Sequence, residues 1–162
     1  MKLYHGSDTN IPVVDLSRCK PNKDFGQGFY LTADRAQASL MAQNRSVASQ
    51  LPPVVNPYEV PDNLLEDKSL RTKVFTEYSE EWAQFVLDNR NGECLETYDI
   101  VYGPIANDKV GVQIRLFTQG FISMEQFIRK LKYSKGITFQ YYFGTARAVK
   151  SLKHIADYEP EC

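Results

Sequence analysis

The sequence predicts an α+β fold, a single domain spanning residues 1–162, on three observations. Short runs of β-branched and aromatic residues recur along the chain, as in Phe29-Tyr30-Leu31, Tyr98-Asp99-Ile100-Val101-Tyr102 and Ile137–Phe143. Between them lie segments with helical spacing, introduced by N-cap signals such as Ser79 and the capping box Ser123-x-x-Gln126. No repeat, low-complexity tract or linker interrupts the alternation, so short strands and intervening helices share one core.

Taken in order, Lys2-Leu3-Tyr4-His5-Gly6 reads as a first strand, followed by a polar loop through Pro12 and Pro21-Asn22. Asp24-Phe25-Gly26-Gln27-Gly28 then leads into the strand Phe29–Leu31, with Thr32 as N-cap of a helix over Ala33–Arg45. Pro52-Pro53 forbids that helix to continue. An extended segment follows over Val54–Val60, interrupted by Pro57. Arg71–Tyr78 reads as a strand or extended edge. Ser79 caps a helix whose apolar face is Trp82, Phe85 and Val86 and which ends at Asn91-Gly92. This spacing assigns the single tryptophan to the core. Tyr98–Gly103 is a strand broken by Pro104, and helices follow from about Lys109 to Gln119 and from Ser123 to Lys132. Phe127, Ile128 and Leu131 point inward from the second. Ile137–Phe143 is the strongest strand signal, and Gly144-Thr145 caps a last helix over Ala146–Lys153. His154 is expected at the surface.

Composition narrows the function. The formal net charge is −1, so no whole-protein field draws the chain to nucleic acid or an anionic membrane. Cys19, Cys94 and Cys162 are odd in number and far apart, with no metal-ligand spacing, which fits a reduced cytoplasmic compartment. The N-terminal residues carry no apolar targeting segment, and no run is long enough to span a bilayer. Ser7 lacks the His and Asp partners of a hydrolase triad, and no metal cluster is visible. The basic run Arg129-Lys130-x-Lys132-x-x-Lys135 reads as a solvated helix face. Asn107-Asp108 reads first as a helix cap.

Three separated pieces remain: Tyr4-His5-Gly6-Ser7, Asp24-Phe25-Gly26-Gln27-Gly28-Phe29-Tyr30-Leu31-Thr32, and Phe139-Gln140-Tyr141. With the segment Tyr98–Asp108, they resemble the ADP-ribosyltransferase superfamily, in the His-Tyr-Glu branch of diphtheria-type toxins and poly(ADP-ribose) polymerases. The likeness is greatest to small bacterial stand-alone domains and spans Tyr4 to Leu152. It implies a split core of two small antiparallel β-sheets flanked by helices, with NAD as co-substrate in the cleft between them and no metal.

The resemblance carries roles with it. His5 would hydrogen-bond a ribose hydroxyl, Gly6 would offer its backbone to the nicotinamide carboxamide, and Tyr30 would stack on the nicotinamide ring. Ser7, Gly28 and Phe29 would complete the NAD-binding wall. Imidazole can donate or accept, glycine admits close backbone approach, and an aromatic face suits a planar cation.

The third position departs from the pattern. Where the branch has glutamate, this chain has Gln140, which keeps a hydrogen bond but supplies no negative charge to an oxocarbenium-like transition state and no general base. Asp99 and Asp108, with Asn107 beside it, are the candidate substitutes. The implied activity is mono-ADP-ribosyl transfer to a macromolecular target, protein or nucleic acid, by a toxin with a small antitoxin partner. An inactive NAD-, ADP-ribose- or partner-binding module and an NAD glycohydrolase are the alternatives.

Overall fold

The computed structural model describes residues 1–94, 96–106, 110–132 and 137–156. It is an α+β structure in which two small sheets carry the strands. The first sheet has the order β1-β3-β7, from β1 (Lys2–Ser7), β3 (Val54–Glu59) and β7 (Lys153–His154). The second has the order β2-β6-β5-β4, from β2 (Phe29–Leu31), β4 (Thr72–Val74), β5 (Ile100–Pro104) and β6 (Phe139–Phe143). The helices are α1 (Arg35–Ser49), α2 (Glu80–Arg90), α3 (Val110–Thr118), α4 (Met124–Lys132) and α5 (Ala146–Val149).

Pairing is antiparallel except between β4 and β5, which run parallel, so the second sheet is mixed rather than wholly antiparallel. The strand expected over Arg71–Tyr78 shortens to Thr72–Val74. Past Phe75, whose N–H reaches Tyr102 O, the chain leaves the sheet and buries Tyr78 edge-on against Trp82.

One bridge joins the sheets. Tyr4 and Thr32 exchange both backbone hydrogen bonds, at 2.8 and 2.9 Å. This commitment of Thr32 moves the start of α1. Asp34, not Thr32, is the N-cap and accepts from Ala36 N and Gln37 N, while Thr32 Oγ1 accepts from Asp34 N. The helix then runs past Arg45 to Ser49, where Gln50 turns left-handed ahead of the proline pair.

Side-chain alternation divides the core. Tyr141 and Phe143 of β6 enter the cluster between the sheets with Leu3, Phe29, Leu31, Tyr58 and Ile100. Tyr142 points the other way, toward α2 and α4, with Trp82, Val86, Phe127 and Leu131. Trp82 is fully buried, its indole N–H donating to Pro104 O. The Ser79 cap and the reciprocal Ser123–Gln126 capping box form as expected. Helix α1 covers the first sheet through its small residues, Ala38 and Ala42 against Val55.

The C-terminal expectation changes. After the Thr145 cap, α5 lasts one turn, because Lys153 and His154 pair with Glu59 and Tyr58 as the third strand of the first sheet. His154 is therefore half-buried rather than fully exposed: its ring lies edge-on to Tyr58, and its Nε2 is buried without a partner. Among the described residues, no helix is long and apolar enough to cross a membrane.

Candidate functional site

A cavity of about 580 Å³ opens beside the junction of the two sheets. That size is ordinary for a small-molecule site. β1 supplies His5 and Ser7, β2 with its preceding loop supplies Gly28, Phe29 and Tyr30, and β6 supplies Gln140. Three pieces far apart in sequence thus line the same cavity.

His5 follows Leu3 on the buried face of β1 and stacks on Phe29, with ring centroids 4.2 Å apart. Its Nδ1 lies 2.7 Å from Tyr30 O; a carbonyl only accepts, so Nδ1 carries the proton and Nε2 is left as an acceptor. Burial, aided by the charge of Arg45, lowers the His5 pKa to about 4 against the partial opposition of the Tyr30 hydrogen bond. The ring is neutral at physiological pH. It offers a fixed lone pair rather than a charge.

Tyr30 is held by its hydroxyl, which accepts from Phe25 N at 3.0 Å and donates to Gly26 O at 2.7 Å. Burial pushes its pKa well above the ordinary phenol value. With the hydroxyl engaged and neutral, the chemistry left to Tyr30 is that of its ring face. The loop beneath it depends on glycine. Gly26 has φ 109°, and a Cβ at Gly28 would stand 2.6 Å from Phe143 O.

Gln140 pairs with Gly103 and shares a sheet face with Tyr142, the register partner of Tyr30. It lines the cavity, and its Nε2 is buried with no hydrogen-bond partner. A buried amide donor without an acceptor is costly, by about 1–3 kcal/mol.

The other sequence candidates are engaged differently, some of them away from the cavity. Gly6 does not line the cavity; the place of its missing side chain is filled by α1 backbone. Ser7 is buried, with its hydroxyl in long local contacts to Asp8 and Thr9. Phe29 belongs mainly to the core between the sheets. Asp99 is occupied in holding the fold, accepting from Arg71 N at 2.7 Å and Thr145 Oγ1 at 2.5 Å, and it does not line the cavity. It is no substitute for the missing carboxylate. Asn107 and Asp108 lie outside the described residues.

A basic rim is the feature that sequence reasoning missed. Arg18, Lys20 and Lys23 from the loop before β2, and Arg45 from α1, line the same cavity. The loop is tied down at both ends. Asn56 accepts from Ile11 N and donates to Thr9 O, and Tyr58 donates to Ile11 O. At the other end Arg90 of α2 grips the buried Asp24, with Nε at 2.7 Å and Nη2 at 2.5 Å. The spacing Arg18-x-Lys20-x-x-Lys23, just ahead of the glycines, was the signal available in the sequence. Among the described residues, no group of three or more His, Cys, Asp or Glu could hold a metal ion.

Residues 1–154 match a family described as proteins of unknown function, DUF3990. No curated protein matches the chain.

Proposed function

The chain belongs to the DUF3990 family, and we propose that it is an NAD-dependent mono-ADP-ribosyltransferase with an ADP-ribosyltransferase-like fold. The observation that carries this reading is that His5, Tyr30 and Gln140, far apart in sequence, all line one cavity. Each brings chemistry suited to a nicotinamide riboside: an acceptor nitrogen for a ribose hydroxyl, an aromatic face for the cationic ring, and an unpaired amide donor for a ribose oxygen.

In the reaction, the C1′–N bond to nicotinamide breaks and its electron pair leaves with the neutral base. The acceptor supplies the pair for the new bond at C1′ and gives its proton, where it carries one, to solvent. Gln140 orients the ribose but adds no charge to the developing cation. Transfer of one ADP-ribose unit therefore fits better than chain elongation. The acceptor is a macromolecule, protein or nucleic acid, and the role is that of a cytoplasmic toxin held in check by a small antitoxin.

A binding module without turnover is the second reading, favoured by the amide at position 140 in place of a carboxylate. An NAD glycohydrolase, with water as acceptor, is the third. Incubating the pure protein with adenine-labelled NAD, alone and with bacterial lysate, separates them. Label on a macromolecule together with released nicotinamide supports the transferase. Free ADP-ribose alone assigns the hydrolase, and binding without nicotinamide release assigns the module. A folded protein that neither binds nor consumes NAD refutes all three.

A further inference from the structure

We propose that Arg18, Lys20, Lys23 and Arg45 form a diphosphate-binding subsite that selects a dinucleotide over a mononucleoside. The proposal rests on the NAD reading of the neighbouring wall, and it is argued from the lining of the cavity.

Five cations line this cavity, Arg90 being the fifth, against the three carboxylates Asp8, Asp15 and Asp24. The chain as a whole is at −1, so the local excess is not a background property. The carboxylates are also spoken for. Asp24 is gripped by Arg90, and Asp15 accepts from Ser17 N at 3.0 Å and Ser17 Oγ at 2.6 Å. Asp8 is bonded through Ser7, and hydrogen bonding to Ser49 holds its carboxyl below the usual range. Among the described residues, Arg18, Lys20, Lys23 and Arg45 form no ion pair within 4 Å.

Lys23 states the imbalance most clearly. Desolvation against the cavity lining lowers its pKa, and the positive charges of Arg90, Lys20 and Arg45 add to that effect against the single attraction of Asp24. Like charges gathered around a lining with too few anions are relieved by an anionic ligand. Arg45 has a similar reach, since its charge is felt at His5 as well as at Asp8 and Lys23.

The distribution then identifies the ligand class. His5, Gly28, Phe29, Tyr30 and Gln140 give the lining an uncharged part, whereas Arg18, Lys20 and Lys23 come from the loop before β2 and Arg45 from α1. A ligand with an uncharged or cationic ring-and-sugar end joined to a doubly charged bridge matches both parts. The net excess of two cations balances a diphosphate bridge. A nucleic-acid strand would ask for a longer basic track.

The test uses the full chain and calorimetric titration with ADP, adenosine, nicotinamide riboside and a short single-stranded RNA. The four cationic side chains are all exposed, so Lys20→Gln/Lys23→Gln and Arg45→Gln keep the fold. The wild type is expected to bind ADP more tightly than adenosine, with affinity falling as salt rises. Each variant should weaken ADP about tenfold or more and leave nicotinamide riboside unchanged. His5→Ala should do the reverse. If nicotinamide riboside binds but ADP affinity ignores the variants, the subsite is wrong and the NAD wall stands. If ADP binding depends on the cations while nicotinamide riboside does not bind, the subsite stands and the transferase reading fails. RNA that binds more tightly than ADP and is lost in the same variants overturns the diphosphate assignment.

Discussion

Substituting Gly6 by alanine should damage this protein far more than its size suggests. The added Cβ would stand 2.1 Å from Ala38 O, 2.7 Å from Ala42 N and 2.9 Å from Met41 Cβ. Two of those atoms are α1 backbone, and none is the end of a flexible side chain, so no rotamer change relieves the contact. The helix must lift from β1 by more than an ångström, opening the packing of Ala38 and Ala42 on Val55. Overpacking of this kind costs about 1–3 kcal/mol, and a rigid backbone neighbour places Gly6→Ala at the upper end. For a chain of this length each kcal/mol moves Tm by roughly 2–4 °C, so at about 3 kcal/mol the melt should fall by about 6–12 °C. Gly111→Ala is the matched control. Its Cβ meets nothing within 4 Å and its φ is ordinary, so it should gain about 0.4–1 kcal/mol by restricting the unfolded chain. Thermal unfolding of both variants by circular dichroism decides the matter. A Gly6→Ala protein melting with the wild type would refute the packing argument.

Three further outcomes follow from the site. His5 is depressed from 6.5 to about 4 by burial, so the unfolded chain binds the extra proton between those values. His5 therefore contributes stability that is complete above pH 6.5 and lost as pH falls toward 4, by roughly 3 kcal/mol; denaturant melts of wild type and His5→Phe across that window should diverge, and parallel curves would contradict the burial. Gln140→Met removes an unpaired buried amide, so it should leave Tm unchanged or raise it by a few degrees while weakening nicotinamide riboside binding; a falling Tm would make Gln140 structural instead. The pair Arg90–Asp24 is half-shielded, and a double-mutant cycle with Arg90→Met and Asp24→Asn should give a coupling of about 1 kcal/mol that shrinks in high salt, a null coupling showing that the loop before β2 is fixed by other contacts.

Much of the fold was legible because its signals are local. Ser79, Thr145 and the Ser123–Gln126 box announce helix starts that form as capped termini, and the alternation in Phe139–Phe143 sends Tyr142 to one core and Tyr141 and Phe143 to the other. Two of the misjudged boundaries are places where a long-range partner prevailed. Thr32 gives its backbone to Tyr4, and Lys153-His154 are recruited by Tyr58 and Glu59, whereas the shortened strand after Thr72 reflects a local contact of Tyr78 with Trp82. The site divides in the same way. His5, Tyr30 and Gln140 could be picked out by residue type and by resemblance, but the burial that keeps His5 neutral and the orphaned Gln140 amide depend on tertiary surroundings. The second demand on Gly6, contact with a helix more than thirty residues away, leaves no trace in its own neighbourhood of sequence. The basic rim was overlooked for a related reason: Arg45 joins Arg18, Lys20 and Lys23 only when α1 folds over the first sheet.

The central claim is that this cavity holds NAD against His5 and Tyr30, and nicotinamide release from NAD by wild type, His5→Ala and Tyr30→Ala tests it most directly. The account predicts release by the wild type, and loss of both release and nicotinamide riboside binding in the two variants, each shown to be folded by circular dichroism. Release at the wild-type rate from folded His5→Ala and Tyr30→Ala proteins would contradict it.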